Sequence, residues 1–163
     1  MSYYDEVAYK STLATIQKAA KGLTDEELSW KPSETAWSIK EIIQHLVDHH
    51  LVVSFRIRTL LSLDEPAQFV SFNQDNWVNA QHANQTTITE LYRTYDHFIQ
   101  FNAALFSRLE AAQFAKQAIN FKGELVTVTQ LIAGLVSHVN HHLEQIERNK
   151  KQLALLSQKE EVK

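Results

Sequence analysis

Cysteine is absent from the 163 residues. That removes disulfides, thiolate metal ligands and a cysteine nucleophile, and it agrees with a reducing compartment. Only three glycines and two prolines punctuate the chain, so few positions turn sharply or force a helix to end, and long uninterrupted helices are expected. No apolar run approaches the ~18 residues that would mark a membrane span. The opening Met-Ser-Tyr-Tyr-Asp-Glu has neither the basic nor the apolar segment of a secretion signal. Basic blocks are missing too: 16 Lys and Arg are scattered among 19 Asp and Glu, for a formal charge of −3. Nucleic acid and anionic membrane are therefore disfavoured as partners, because both draw on clustered cations. At 44% apolar and 21% charged residues, the balance is that of an ordinary globular domain. The expectation is a soluble, cytoplasmic protein.

What the chain does have is apolar periodicity behind recognisable helix starts. A first helix is predicted over Asp5–Ala20, with Gly22 as its C′ residue. A turn around Asp25–Leu28 follows, and Lys31-Pro32-Ser33 breaks the chain. The second helix opens at Ser38, three residues before Glu41, in capping-box spacing. Its stripe is Ile39, Ile42, Ile43, Leu46, Val53, Ile57, Leu60 and Leu61. The third opens at Thr87 with Glu90, and the fourth at Thr127 with Gln130, each leading a similar stripe. Four amphipathic helices without strong strands predict an all-α four-helix bundle. One domain over 1–156 is expected, with a frayed tail over 157–163. The connection between helices two and three, about 25 residues, is longer than antiparallel neighbours need. It reads as a crossing to the other end of the bundle, or as a lid. Lys122-Gly123 is expected to turn a small hairpin before helix four. Helix three holds more aromatics (Tyr92, Tyr95, Phe98, Phe101, Phe106) than one buried stripe requires, a pattern that suits either a subunit contact or a broad core.

The eight histidines carry the chemistry. His138 and His142 stand one helical turn apart, about 40° on a wheel, and beside the Leu135–Val139 stripe, so both point into the bundle. A divalent ion needs such a pair of neutral imidazoles plus a third donor from a facing helix, with one position left open for water or substrate. In helix two, His50 sits near the centre of the apolar stripe, His49 on its flank and His45 further round. Periodicity thus nominates His50 or His49 and does not deliver His45. The competing reading of any single histidine here is a core side chain satisfied by a neighbouring carbonyl.

The stretch Trp37-Ser-Ile-Lys-Glu-Ile-Ile-Gln-His-Leu-Val-Asp48, followed downstream by His138-Val-Asn-His-His-Leu-Glu-Gln-Ile146, resembles the DinB superfamily, and within it the YfiT-like metal-dependent hydrolases. The resemblance implies a four-helix bundle that commonly dimerises and holds zinc or nickel on three histidines. Matched residue by residue, those ligands fall on His45, His138 and His142. In the family, acidic residues often stand shortly before a tryptophan; here Phe72-Asn-Gln-Asp-Asn-Trp77 puts Asn73 at one such place.

Three neutral imidazoles leave the ion its charge, which acidifies a bound water from about 16 towards about 7. An electrophilic substrate then gives a hydrolase. A thiol held as thiolate gives instead an S-transferase, and the resemblance also implies relatives that use low-molecular-weight thiols of the bacillithiol or glutathione type. A third reading is a non-enzymatic, stress-associated dimer that keeps its ion. Asp48, one turn from His45, is a candidate to orient a ligand ring or bound water, against a solvated helix carboxylate. His49 is a candidate proton shuttle, against a half-buried flank residue. Glu144 is expected at the surface and Gln145 at the rim. Trp77 either closes over a small-molecule substrate or anchors its loop.

Overall fold

The computed structural model describes residues 3–64 and 66–161, and the side chains of all of these except 157 and 159–161. Its elements are α1 (Glu6–Ala19), α2 (Asp25–Ser29), α3 (Ile39–Ser62), β1 (Ala67–Gln68), α4 (Gln74–Ala80), a 3₁₀ turn (Ala83–Gln85), α5 (Ile88–Phe106), α6 (Ala111–Phe114), β2 (Gln117–Ile119), β3 (Leu125–Thr127) and α7 (Val128–Glu161). The four long helices α1, α3, α5 and α7 are the expected bundle. None of the described helices is long and apolar enough to cross a membrane.

The starts of these helices are fixed by side chains that satisfy otherwise unpaired backbone N–H groups. The Ser38 hydroxyl accepts from the Glu41 amide, and the Glu41 carboxylate accepts from the Ser38 amide at 2.8 Å. Thr127 and Gln130 reciprocate in the same way. Thr87 accepts from the Glu90 amide, and Asp5 caps α1. A further capping box, Thr24 with Glu27, turns the expected bend at Asp25–Leu28 into the short helix α2. Gly22 does take a left-handed turn, φ 83°, but two residues past the C-cap Ala20 rather than directly after it. Gly123, at φ 82°, turns the β2–β3 hairpin as expected.

Packing defines the topology. α3 lies against α5 and α7, and α1 lies against the same two helices. α1 and α3 are therefore diagonal partners, as are α5 and α7, so helices consecutive in the bundle are not always neighbours. Ile42, Ile43, Leu46 and Ile57 of α3 are wholly buried, each contributing roughly 1.5–3 kcal/mol relative to exposure. In α5, Tyr95 and Phe106 are buried and Tyr92 and Phe98 half-buried, whereas Phe101 is exposed with Arg58 over its ring at 3.9 Å. The aromatics of α5 thus mostly build the core of one chain.

The long connection after α3 is ordered by two features that periodicity did not announce. β1 pairs in parallel with β2, which pairs antiparallel with β3, tying the connection to the segment before α7. α4 then runs back along α3. α7 continues as helix through Glu161, past the expected domain end at 156, and the final two residues of the anticipated tail lie outside the described residues.

Candidate metal centre

Because α3 and α7 are neighbours, residues one turn apart on α7 can face a residue on α3. His138 and His142 do so toward His45. The Nε2 atoms of His45 and His138 are 2.9 Å apart. Ring centroids are 5.0 Å apart for His45–His138, 4.8 Å for His45–His142 and 4.5 Å for His138–His142. One nitrogen from each of the three lies within 4.8 Å of the others. Zinc–nitrogen bonds of 2.0–2.1 Å at tetrahedral angles put donor atoms ~3.3 Å apart, so small side-chain adjustments suffice to seat a divalent ion.

The electrostatics suit ligation. Burial, followed by the neighbouring imidazole of His142, lowers the pKa of His45 from 6.5 to about 4. Burial, with His49 and the other rings of the cluster, takes His138 to about 2. His142 is also lowered, chiefly by burial, although its bond to Gln145 opposes the shift. Removing these groups from water penalises their charged forms, so each presents a neutral ring, the form a cation needs. The Nδ1–H of His142 donates to Gln145 Oε1 at 2.9 Å, which leaves the Nε2 lone pair aimed elsewhere. His45 lacks such support: its Nδ1 is buried with no hydrogen-bond partner.

Aromatic rings shield the cluster. Trp37 lies 4.8 Å from His45 and stacks on His142 at 6.2 Å. Its carbonyl accepts from Asn149 of α7 at 2.8 Å. Phe72 stacks on His45 at 6.4 Å and contacts Trp77 at 5.0 Å. The start of α3, which sets where Trp37 and His45 stand, is clamped by a buried Lys40 paired with Asp25 at 2.6 Å and by Lys31 bonded to Glu41 at 3.2 Å. Beside the triad opens a cavity of about 370 Å³, whose lining includes His138, His49, His141 and Arg56.

The remaining sequence candidates take other places. His50 is in the core: its Nδ1–H donates to the Leu46 carbonyl, and its ring packs between Tyr9 and Tyr95 at 6.0 and 4.5 Å. Asp48 is buried, and its two carboxylate oxygens accept from Gln44 at 3.0 Å and Gln81 at 2.9 Å. It makes no bond to His45; it holds the end of α4 against α3. His49 lies flat on His138 and is lowered to about 3, first by burial and then by His50 and His45. Asn73 is the N-cap of α4, accepting from the Asn76 amide. Trp77 is 37% exposed against Phe72. Gln145, expected only at a rim, stands three residues after His142, a spacing at which helical side chains meet. Arg56, which lines the same cavity as His49, has no signal in the sequence beyond its place two turns further along the helix.

The model of the DinB superfamily matches residues 8–146, and the chain belongs to that family. A protein of Bacillus licheniformis named "Putative metal-dependent hydrolase" is 27% identical over 140 residues, 85% of this chain and 78% of the relative. One of the same name from Oceanobacillus iheyensis is 27% identical over 134 residues, covering 80% and 75%. The structure of YfiT from Bacillus subtilis, described as a probable metal-dependent hydrolase with an unusual four-helix bundle topology, superposes with a TM-score of 0.81. That likeness covers 91% of this chain and 85% of YfiT at 18% identity, and it matches the fold.

Proposed function

We propose that the protein is a metal-dependent hydrolase of a small molecule in the cytoplasm, with His45, His138 and His142 holding a divalent ion, zinc or nickel. The observation that carries this reading is the convergence of three imidazoles, two buried and one half-buried, next to a cavity large enough for a small substrate. The names of the bacterial relatives point the same way. When bound, such an ion supplies Lewis-acid polarisation of an electrophilic carbonyl or phosphoryl group. The chain's own contribution is to fix that ion. Gln145 keeps the proton of His142 on Nδ1, His49 braces the ring of His138, and Trp37 and Phe72 keep water from the back of His45. A homodimer, the assembly that the family resemblance implies, belongs to the same reading and is tested by light scattering.

Elemental analysis after metal-replete expression is the first test, with one ion per chain expected. His142→Ala should lose the ion or bind it about tenfold more weakly or worse. The loaded protein is then offered a panel of esters and amides, and separately a small thiol with chlorodinitrobenzene. Ion-dependent hydrolysis supports the proposal. Ion-dependent conjugation without hydrolysis replaces it with an S-transferase, and wild-type protein without a stoichiometric ion overturns it.

A further inference from the structure

Arg56 is a half-buried cation without a counter-ion among the described residues. Its Nη2–H donates to the Val70 carbonyl at 2.6 Å, and its guanidinium lies over Phe69 at 5.4 Å. Four ion pairs are formed among the described residues, and Arg56 is in none of them. A guanidinium carries five N–H donors, so most of its capacity is unused. Burial also lowers its pKa, the mark of a charge deprived of water. Charges in such places are ordinarily paired.

Its position gives the missing anion an address. Arg56 lines the cavity that contains His138 and His49, and it also lines a second, apolar groove of about 430 Å³. That groove runs between α3 and the segment holding β1 and α4, past Phe55, Val70 and Trp77. Phe55 and Val70 are 70% and 80% exposed. Its wall includes Phe72, which stacks on His45. Polar cavity and apolar groove thus meet at one cation, and both reach rings adjoining the triad. Among the described residues no carboxylate lines either space, so none of them competes for the guanidinium there.

We infer that this site takes an anionic small molecule with an apolar arm, a carboxylate lying on Arg56 and the arm lying in the groove along Phe55 and Val70. This rests on the proposed hydrolase reading for the chemistry at the triad, and it names the class of substrate. A planar guanidinium matches the two oxygens of a carboxylate. With no lysine or second arginine in either lining, a monoanion is favoured over a phosphate.

The test uses hexanoate, hexanol, acetate and hexyl phosphate as probes, titrated into metal-free and metal-loaded full-length protein and followed by amide shifts in nuclear magnetic resonance. Hexanoate should bind the metal-free protein, more tightly than acetate by about fourfold for each methylene that enters the groove, and more tightly than hexyl phosphate. Arg56→Gln, which keeps an amide donor for Val70, should weaken hexanoate about tenfold or more while leaving hexanol within twofold. Val70→Ser should weaken hexanoate and hexanol alike. Arg56→Lys, a fallback should Arg56→Gln not fold, should favour hexanoate over hexanol less than wild type does. No hexanoate binding, binding only when the ion is present, or equal losses of hexanoate and hexanol in Arg56→Gln would each overturn the inference. An empty metal site in wild type sinks the hydrolase reading, whereas the metal-free titration reports on Arg56 separately.

Discussion

His49 lies flat against His138, ring centroids 3.8 Å apart and planes inclined by 20°. One ring comes from α3 and the other from α7, so the stack joins the two helices that carry the triad and limits how His138 can rotate. A side chain already held near the orientation it would take on an ion loses less rotamer freedom when one binds. His49→Ala should therefore weaken zinc binding about tenfold, within the range seen for supports of ligand histidines, and His49→Phe should restore most of it. Competition against a chromogenic chelator measures both. Equal affinities in wild type and His49→Ala would show that the stack does not position His138.

Gln145 tests a different support. Its Oε1 accepts the Nδ1 proton of His142, selecting the tautomer whose Nε2 is free. Gln145→Leu should lower zinc affinity by about tenfold. Gln145→Glu should raise it, because a carboxylate partner makes the imidazole more basic. The same chelator competition reads both, and the opposite signs separate this role from general loss of packing. An unchanged affinity in Gln145→Glu would remove the residue from the support of His142.

How much of this was legible in the sequence differs from residue to residue. Ser38, Thr87 and Thr127 announced their helices because a cap is a local bargain between a side chain and amides three residues away. His138 and His142 were legible as a pair because both sit on one helix, one turn apart. His45 was not legible from periodicity. Its face is chosen by where α7 lies, and an apolar stripe reports the centre of a buried face rather than a polar seam between two helices. His50 sat nearer the centre of that stripe, and it is indeed buried, but against Tyr9 and Tyr95. The motif resemblance supplied what the wheel could not. The β1–β2 pairing joins Ala67 to Ala118, a contact across roughly a third of the chain between strands too short to carry any alternation of their own.

Asp48 separates a catalytic carboxylate from a structural one. Both of its oxygens accept from glutamine amides, and burial raises its pKa despite those bonds. Asp48→Asn removes the charge while keeping one acceptor, so ion content should match wild type and stability should change by under about 1 kcal/mol. Asp48→Leu leaves the amides of Gln44 and Gln81 without this acceptor and should cost about 1–3 kcal/mol, with the end of α4 loosening first. Urea denaturation and elemental analysis check the pair. Loss of the ion in Asp48→Asn would return this carboxylate to the metal site.

His50 gives a prediction with a sign in pH. Its imidazole is 1% exposed, and burial lowers its pKa from 6.5 to about 4. Between those values the unfolded chain holds a proton on this ring that the folded chain does not. Stability contributed by the neutral buried ring is thus fully present above pH 6.5 and is lost as pH falls toward 4, below which both states are protonated and the loss levels off. The span corresponds to about 3 kcal/mol. His50→Gln cannot take up that proton but forfeits the packing between Tyr9 and Tyr95, so at pH 7 it should be about 1–3 kcal/mol less stable than wild type with ion content unchanged. As the pH drops from 7 to 4 the gap should narrow and then close or reverse, because wild type alone carries this proton-linked loss. Urea midpoints taken on metal-free protein at half-unit pH steps measure it, since the remaining histidines titrate in both proteins and largely cancel in the difference. Parallel curves would mean that His50 is not the buried, neutral ring its surroundings require.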